Sequence, residues 1–382
     1  MPRQRVQDLA VSDFVTTEVV WVSPDDELGE VLGKMKEHDV HELPVGRKGK
    51  LEGVVTLREL MKRKSLPPST KVSTVVVKAP EVRRETKLPA AAEQLITTGF
   101  RALPVVEGKK LLGIISRTDL TRALAETKAL EGLKVRDFMT PNPQAVSESD
   151  TIEHAVHVMQ SLGERSLPVV DKNRRLKGAI GMKDVTDIFA RPKMRQRYGE
   201  RAGSESKVEL EVKSVMHAPA VTMGIDGDLG RAADLMLKQE VSSVIVTDKD
   251  EPVGIVTKAD LMHFLAGLLE REQLFVEISG LENEPAETYD IIYDTVQKEM
   301  RRIAQLVTPK TLSLHVQRYK PDGDRWKYSI RCRFQTAHQM YYANHFDWDL
   351  HLALRDLLET MYKRILKDKE RMVTERKLGR ST

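Results

Sequence analysis

The 382 residues carry 61 Lys and Arg against 57 Asp and Glu, a formal charge of +4, with 40% hydrophobic and 31% charged content. A chain this long exceeds one ordinary core and predicts two to four domains of a soluble protein, while so even a balance does not by itself declare a nucleic-acid partner. No apolar run reaches the ~18 residues of a membrane span, and the single cysteine, Cys332, excludes a disulfide framework or cysteine metal cage and points to a reducing cytoplasm.

The opening "MPRQRVQDLAVSDFV" has basic residues but no apolar core and does not read as a secretory signal. Beyond it the chain repeats one pattern four times. A strand "HELPV" (41–45) is followed by "GVVTLREL" from Gly53, a strand that runs into a helix. The pair returns as "RALPVV" (101–106) with "GIISRTDL" from Gly113, and as "RSLPVV" (165–170) with "GAIGMKDV" from Gly178. The fourth copy is "SSVIV" (242–246) with "GIVTKADL" from Gly254. An amphipathic helix precedes each pair; in the third copy Ile152, Ala155, Val156, Met159 and Leu162 fall on one face. The expected units are 9–66, 67–127, 132–190 and 210–268, with 191–209, basic and without apolar periodicity, as a linker.

After about residue 270 the composition changes. "LFVEISGLE" reads as a strand, Pro285 opens a helix, and "TLSLHVQRY" and "WKYSIRCRF" alternate as strands around the turn "KPDGD". "QMYYANHF" is a further strand, and a long helix follows the capping candidates Asp347 and Asp349. The predicted order over 272–382 is β-α-β-β-β-α, with both helices on one face of the sheet, the other face polar, and Cys332 in the core.

The strand-to-helix junctions carry the first chemistry. Ser116 and Asp119, Thr257 and Asp260, and Thr56 and Glu59 are each three residues apart, the spacing of a capping box. The third copy has Gly181 in place of the hydroxyl but keeps Asp184. A helix start is also a phosphate site, and a cation lies in every turn: Arg58, Arg117, Lys183 and Lys258. His41, Arg101 and Arg165 begin the Pro-containing strands; solvated surface is their ordinary reading, a phosphate contact the sharper one.

In order, spacing and residue type the repeats resemble the CBS domain, a β-α-β-β-α unit that works in pairs. The resemblance implies an α/β (α+β) fold of four units in two pseudo-twofold modules, binding adenine nucleotides between paired units. The hydroxyl would contact phosphate and the acid would hold the ribose. Carried onto this sequence, the nucleotide residues are Thr56, Glu59, Arg101, Ser116, Arg117, Asp119, Asp184, Thr257, Lys258 and Asp260. AMP, ADP or ATP is the expected ligand, with S-adenosylmethionine ranked behind them. The family's mode of association implies a homodimer. No catalytic or metal motif emerges, and the chain reads as a sensor rather than an enzyme.

The terminal region concentrates cations. Lys298, Arg301 and Arg302 close the first helix, where the helix dipole accounts for them. Lys327, Arg331 and Arg333 share one strand face, and Lys363, Arg364 and Lys367 lie on the last helix; such cations neutralise phosphates while nearby aromatics stack on bases. The element order resembles the ribosome hibernation-promoting factors, which implies that these residues bind ribosomal RNA of the small subunit. Together the two resemblances imply a cytoplasmic protein that couples adenine-nucleotide state to translational silencing under stress. The alternatives are a transcription regulator, against which stands the lack of a helix-turn-helix pattern, and an accessory subunit of a partner enzyme. Four Asn among abundant Lys, Arg and Glu lean toward a heat-adapted source.

Overall fold

An apolar stripe on each repeat helix demands a partner layer, and the paired strands supply it. The computed structural model describes residues 5–47, 49–63, 66–162, 164–182, 184–185, 210–269, 274–281, 286–319, 326–336 and 339–378. The predicted linker 191–209, Lys183 and Pro285 lie outside these. The first unit holds α1 (Leu28–Glu37), β1 (Glu42–Arg47), β2 (Lys50–Thr56) and α2 (Leu57–Lys62). The second holds α3 (Leu88–Thr97), β3 (Ala102–Glu107), β4 (Lys110–Ser116) and α4 (Arg117–Glu126). The third comprises β5 (Thr140–Pro141), β6 (Val146–Ser147), α5 (Ile152–Leu162), β7 (Ser166–Val170) and β8 (Leu176–Gly181), after which a helix starts at Met182. The fourth comprises β9 (Thr222–Gly224), α6 (Leu229–Lys238), β10 (Ser243–Asp248), β11 (Glu251–Thr257) and α7 (Lys258–Gly267).

Within each unit the two longer strands pair antiparallel, setting Leu103 opposite Ile115 and Val244 opposite Val256. Sister units also exchange their first segments. Thr16, at the start of the first unit, bridges to Ile114 of the second, and Val77 of the second bridges to Val54 of the first. The other module repeats this: Thr140 pairs with Ile255, and His217 bridges to Ala179. The glycine opening each junction makes room for the visiting segment. A β-carbon at Gly113 would lie 2.4 Å from the Thr16 carbonyl oxygen, one at Gly53 2.7 Å from that of Val77, and one at Gly178 2.5 Å from that of His217. At Gly254 the obstacle would be the Met139 sulfur, 2.2 Å away.

The second and fourth units share one core. Leu95 and Leu124 bury in the same apolar cluster as Met236 and Met262, and Phe138 meets Phe264 edge to face at 5.6 Å. The first and third units keep separate cores, around Val31, Val45 and Val55 and around Ile152, Met159 and Ile180.

The remaining chain forms β12 (Phe275–Ser279), α8 (Ala286–Ile303), β13 (Pro309–Tyr319), β14 (Lys327–Thr336), β15 (Met340–Asp347) and α9 (Leu350–Leu378). The sheet runs in that strand order, parallel between β12 and β13 and antiparallel thereafter. Period-two alternation sends Ile330, Cys332 and Phe334 into a core with Ile292, Val296, Leu354 and Leu358. Asp349 starts α9 by accepting the Leu352 N–H at 2.8 Å. Burial pushes the Cys332 thiol well above the usual thiol range, as suits a core residue. The sheet's second face is polar in composition, yet it does not all face solvent: β13 and β14 lie across α7. Among the described residues no helix is long and apolar enough to cross a membrane.

Two glycine substitutions separate packing from propensity. Gly113→Val drives a side chain into the Thr16 carbonyl and lowers stability by roughly 1–3 kcal/mol in urea unfolding. Gly33→Ala, on the exposed side of α1 with nothing within 4 Å, raises it by about 0.5–1 kcal/mol.

Candidate functional site

Each junction turns a strand end into a helix N-cap, and the acid three residues on divides its two oxygens between tasks. In the second unit Asp119 Oδ2 accepts the Ser116 N–H and hydroxyl at 2.8 and 2.6 Å, while its own N–H donates to Ser116 Oγ at 3.2 Å. The fourth unit repeats this: Asp260 Oδ2 accepts from Thr257 N and Oγ1 at 2.8 and 2.7 Å. In the third, Asp184 Oδ2 accepts the Gly181 N–H at 2.6 Å, so the cap survives without the hydroxyl. In the first, Thr56 Oγ1 accepts the Glu59 N–H at 3.1 Å, but the Glu59 carboxylate lies 3.7 Å from Arg63 instead. The extra methylene carries it out of the reciprocal arrangement.

The second oxygen, Oδ1, points away from the cap. At Asp119 it receives Thr16 Oγ1 at 3.3 Å, from the exchanged segment of the sister unit, and Arg122 Nη1 at 3.1 Å. At Asp184 it meets His217 Nε2 at 2.7 Å, again from the exchanged segment. At Asp260 the neighbour is Arg333 Nε, 3.4 Å away, from the terminal sheet.

The ordinary reading of His41, Arg101 and Arg165 as solvated surface does not hold. Arg101 donates its N–H to Glu42 Oε1 at 3.1 Å, and its guanidinium lies 2.7 Å from His41 Nε2. Burial, then the neighbouring Arg165 and Arg117, lower the Arg101 pKa to about 9. Burial and Arg165 lower that of Arg117 to about 10, and burial lowers that of Arg165. Glu42 is the carboxylate they share; burial pushes its pKa up while Arg101, first among the three arginines, pulls it down. Arg117 donates to the Leu95 carbonyl at 3.1 Å, whereas its buried Nε has no hydrogen-bond partner. Lys258 reaches across from the fourth unit to Thr118 Oγ1 of the second at 3.0 Å. Cations from separate repeats thus gather at the junction helices, an anion-attracting field at helix N-termini.

The terminal cations divide. Arg331 and Arg333 do not face solvent as an RNA-binding strand face requires. Arg331 donates to the Leu162 carbonyl, and Arg333 donates to Glu164 Oε1 at 2.9 Å beside Asp260. Burial works against the Arg333 charge, yet Glu164 and Asp260 hold it more firmly protonated than usual. Arg302 is also engaged, with Glu299 at 2.7 Å, Glu359 at 3.2 Å and the Tyr362 ring. Lys298, Arg301, Lys363, Arg364 and Lys367 are exposed, although Lys363 pairs with Glu359 at 3.6 Å and Arg364 donates to the Tyr342 carbonyl. Lys327 lies over the rings of Phe346 and Trp348.

Sequence reasoning missed Thr16, Glu42, Arg122, Glu164 and His217. A signal for two of them was present: "DFVT" (13–16), "TVVV" (74–77), "DFMT" (137–140) and "SVMH" (214–217) recur at the start of each unit, and their last residues include Thr16 and His217.

The family model for the CBS domain matches residues 11–66, 72–126, 135–191 and 212–267. The chain is 27% identical over 337 residues to an uncharacterized protein, MJ1404, of Methanocaldococcus jannaschii, covering 87% of this chain and 79% of the relative. It is 28% identical over 280 residues to an uncharacterized 33.4 kDa protein in the ribosomal RNA operon of Thermofilum pendens, covering 68% and 91% respectively. Among solved structures, protein MJ1225 of M. jannaschii, described as a candidate archaeal homolog of g-AMPK, aligns with a TM-score of 0.56 at 20% identity. That alignment covers 68% of this chain and all of the other, a likeness of fold.

Charge balance at the cluster is open to direct test. Glu42→Ala removes the carboxylate shared by three guanidinium groups and costs roughly 1–3 kcal/mol. Inorganic tripolyphosphate recovers more of the lost melting temperature than sodium chloride at equal ionic strength, as read by differential scanning calorimetry.

Proposed function

The chain belongs to the CBS-domain family, and on that premise we propose that it is a regulatory protein, not an enzyme, whose paired units bind AMP, ADP or ATP. The carrying observation is the arginine cluster at the start of α4: Arg101, whose N–H meets Glu42 and whose guanidinium lies against His41, beside Arg165 and beside Arg117, whose buried Nε has no hydrogen-bond partner. Arg101, Arg117 and Arg165 crowd together with burial and mutual repulsion working against their charges, which favours an anion of more than one charge. The start of α4 adds its dipole to that attraction. A ribose diol would donate to Asp119 Oδ1 in place of Arg122, whose side chain is 47% exposed and free to swing into water. S-adenosylmethionine carries no phosphate, so it ranks behind the nucleotides. Calorimetry on the full chain tests the reading: ADP or ATP binds at least tenfold tighter than adenosine, and Asp119→Ala with Asp260→Ala weakens binding at least tenfold. Equal, unsaturable heats from the native and doubly substituted chains end it.

For the terminal unit we propose contact with ribosomal RNA of the small subunit, by the cations outside its docked face. Lys298, Arg301, Lys363, Arg364 and Lys367 are exposed, and Lys327 sits among exposed aromatics, Phe346 and Trp348, the pairing that stacks bases and neutralises phosphates. Cosedimentation with small subunits, strong at low salt and weak at high salt, is the expected result. No cosedimentation at low salt rules out the ribosome as partner.

A further inference from the structure

Asp260 differs from the corresponding acids in what covers its outward oxygen. At Asp119 the covering cation, Arg122, sits on the same helix and is half exposed. At Asp184 the covering group is the His217 imidazole of the sister unit, 69% exposed. At Asp260 it is Arg333 of the terminal sheet, and the Asp260 side chain is wholly inaccessible. Arg333 is braced by its bond to Glu164 at 2.9 Å. Yet its Nε and Asp260 Oδ1, though 3.4 Å apart, are not aligned as a hydrogen bond, and neither buried atom has another hydrogen-bond partner. Such atoms cost free energy when left unmatched, so the carboxylate is occupied by a group that satisfies its charge but not its geometry.

The rest of β14 and the start of β15 are seated against the same units. Gln335 Nε2 donates to the Phe264 carbonyl at 3.2 Å, Arg331 donates to the Leu162 carbonyl, and Met340 joins the apolar core of the second and fourth units. Gly267 at the end of α7 makes room for this: a β-carbon there would lie 2.3 Å from Gln335 Nε2.

We propose that Arg333 is a built-in stand-in for a ligand's diol, and that β14 occupies the fourth unit's nucleotide site and closes it. A guanidinium N–H and a diol O–H are both donors to a carboxylate; here Arg333 brings its Nε to the oxygen without completing the bond, which leaves the acceptor for a better-aligned donor. Nucleotide at Asp260 and docking of the terminal sheet are therefore mutually exclusive, and by linkage each weakens the other. Nucleotide entering this site frees the strand face that carries Arg331 and Arg333. The proposal rests on the nucleotide reading above.

The test is ADP stoichiometry by calorimetry on full-length chains whose fold is checked by circular dichroism. Arg333→Gln takes up one further equivalent of ADP. So does Gly267→Leu, which wedges the sheet off α7 without touching a charged residue. Adding Asp260→Asn to either variant removes that equivalent. Unchanged stoichiometry in a folded Gly267→Leu chain overturns the closure while leaving nucleotide binding elsewhere intact. No uptake by any chain, the native one included, overturns the nucleotide reading and the closure with it.

Discussion

The carbonyl oxygens of Thr16, Val77 and His217 come so close to Gly113, Gly53 and Gly178 that a β-carbon at those glycines would meet them at 2.4–2.7 Å. This approach joins two repeats into one module, because each unit completes its sheet with a segment of its sister. It also composes the site. The segment admitted by Gly113 brings the Thr16 hydroxyl to Asp119, and the one admitted by Gly178 brings His217 to Asp184. Neither acid has its full environment within its own repeat, so pairing and site formation are one event.

Helix capping and ligand recognition share the same acid without competing. Oδ2 closes the N-cap and fixes the carboxylate's orientation; Oδ1 is thereby left outside the cap and free to meet other partners. Glu59 illustrates the alternative: one methylene longer, it leaves the cap half made and turns to Arg63. The environment then decides what Oδ1 meets, from a solvent-swept arginine to a sheet of another domain.

The repeats were legible because strand, turn and cap are local and occurred four times. The alternation of β14 was legible for the same reason, and it put Cys332 in the core and Lys327, Arg331 and Arg333 on the opposite face. What the pattern could not supply was the identity of the surface covering that face. Arg333 meets Glu164 and Asp260, contacts separated by 169 and 73 positions, and strand periodicity carries no information at such a range. Arg101 suffered likewise, since a cation at a strand start is ordinary until its own junction and the third repeat bring the Arg117 and Arg165 guanidinium groups beside it. The recurring "DFVT" segment was readable, but its meaning depended on exchange between units, which one repeat taken alone does not reveal.

The exchange also sets an order of events during synthesis. The strand segment at Thr16 has no bridge partner until Ile114 has been made, so it waits while most of two repeats emerge. The first module therefore closes late and all at once, with high contact order, instead of growing repeat by repeat. The terminal sheet is the opposite case: β13, β14 and β15 are sequential antiparallel neighbours that zip as each follows the last.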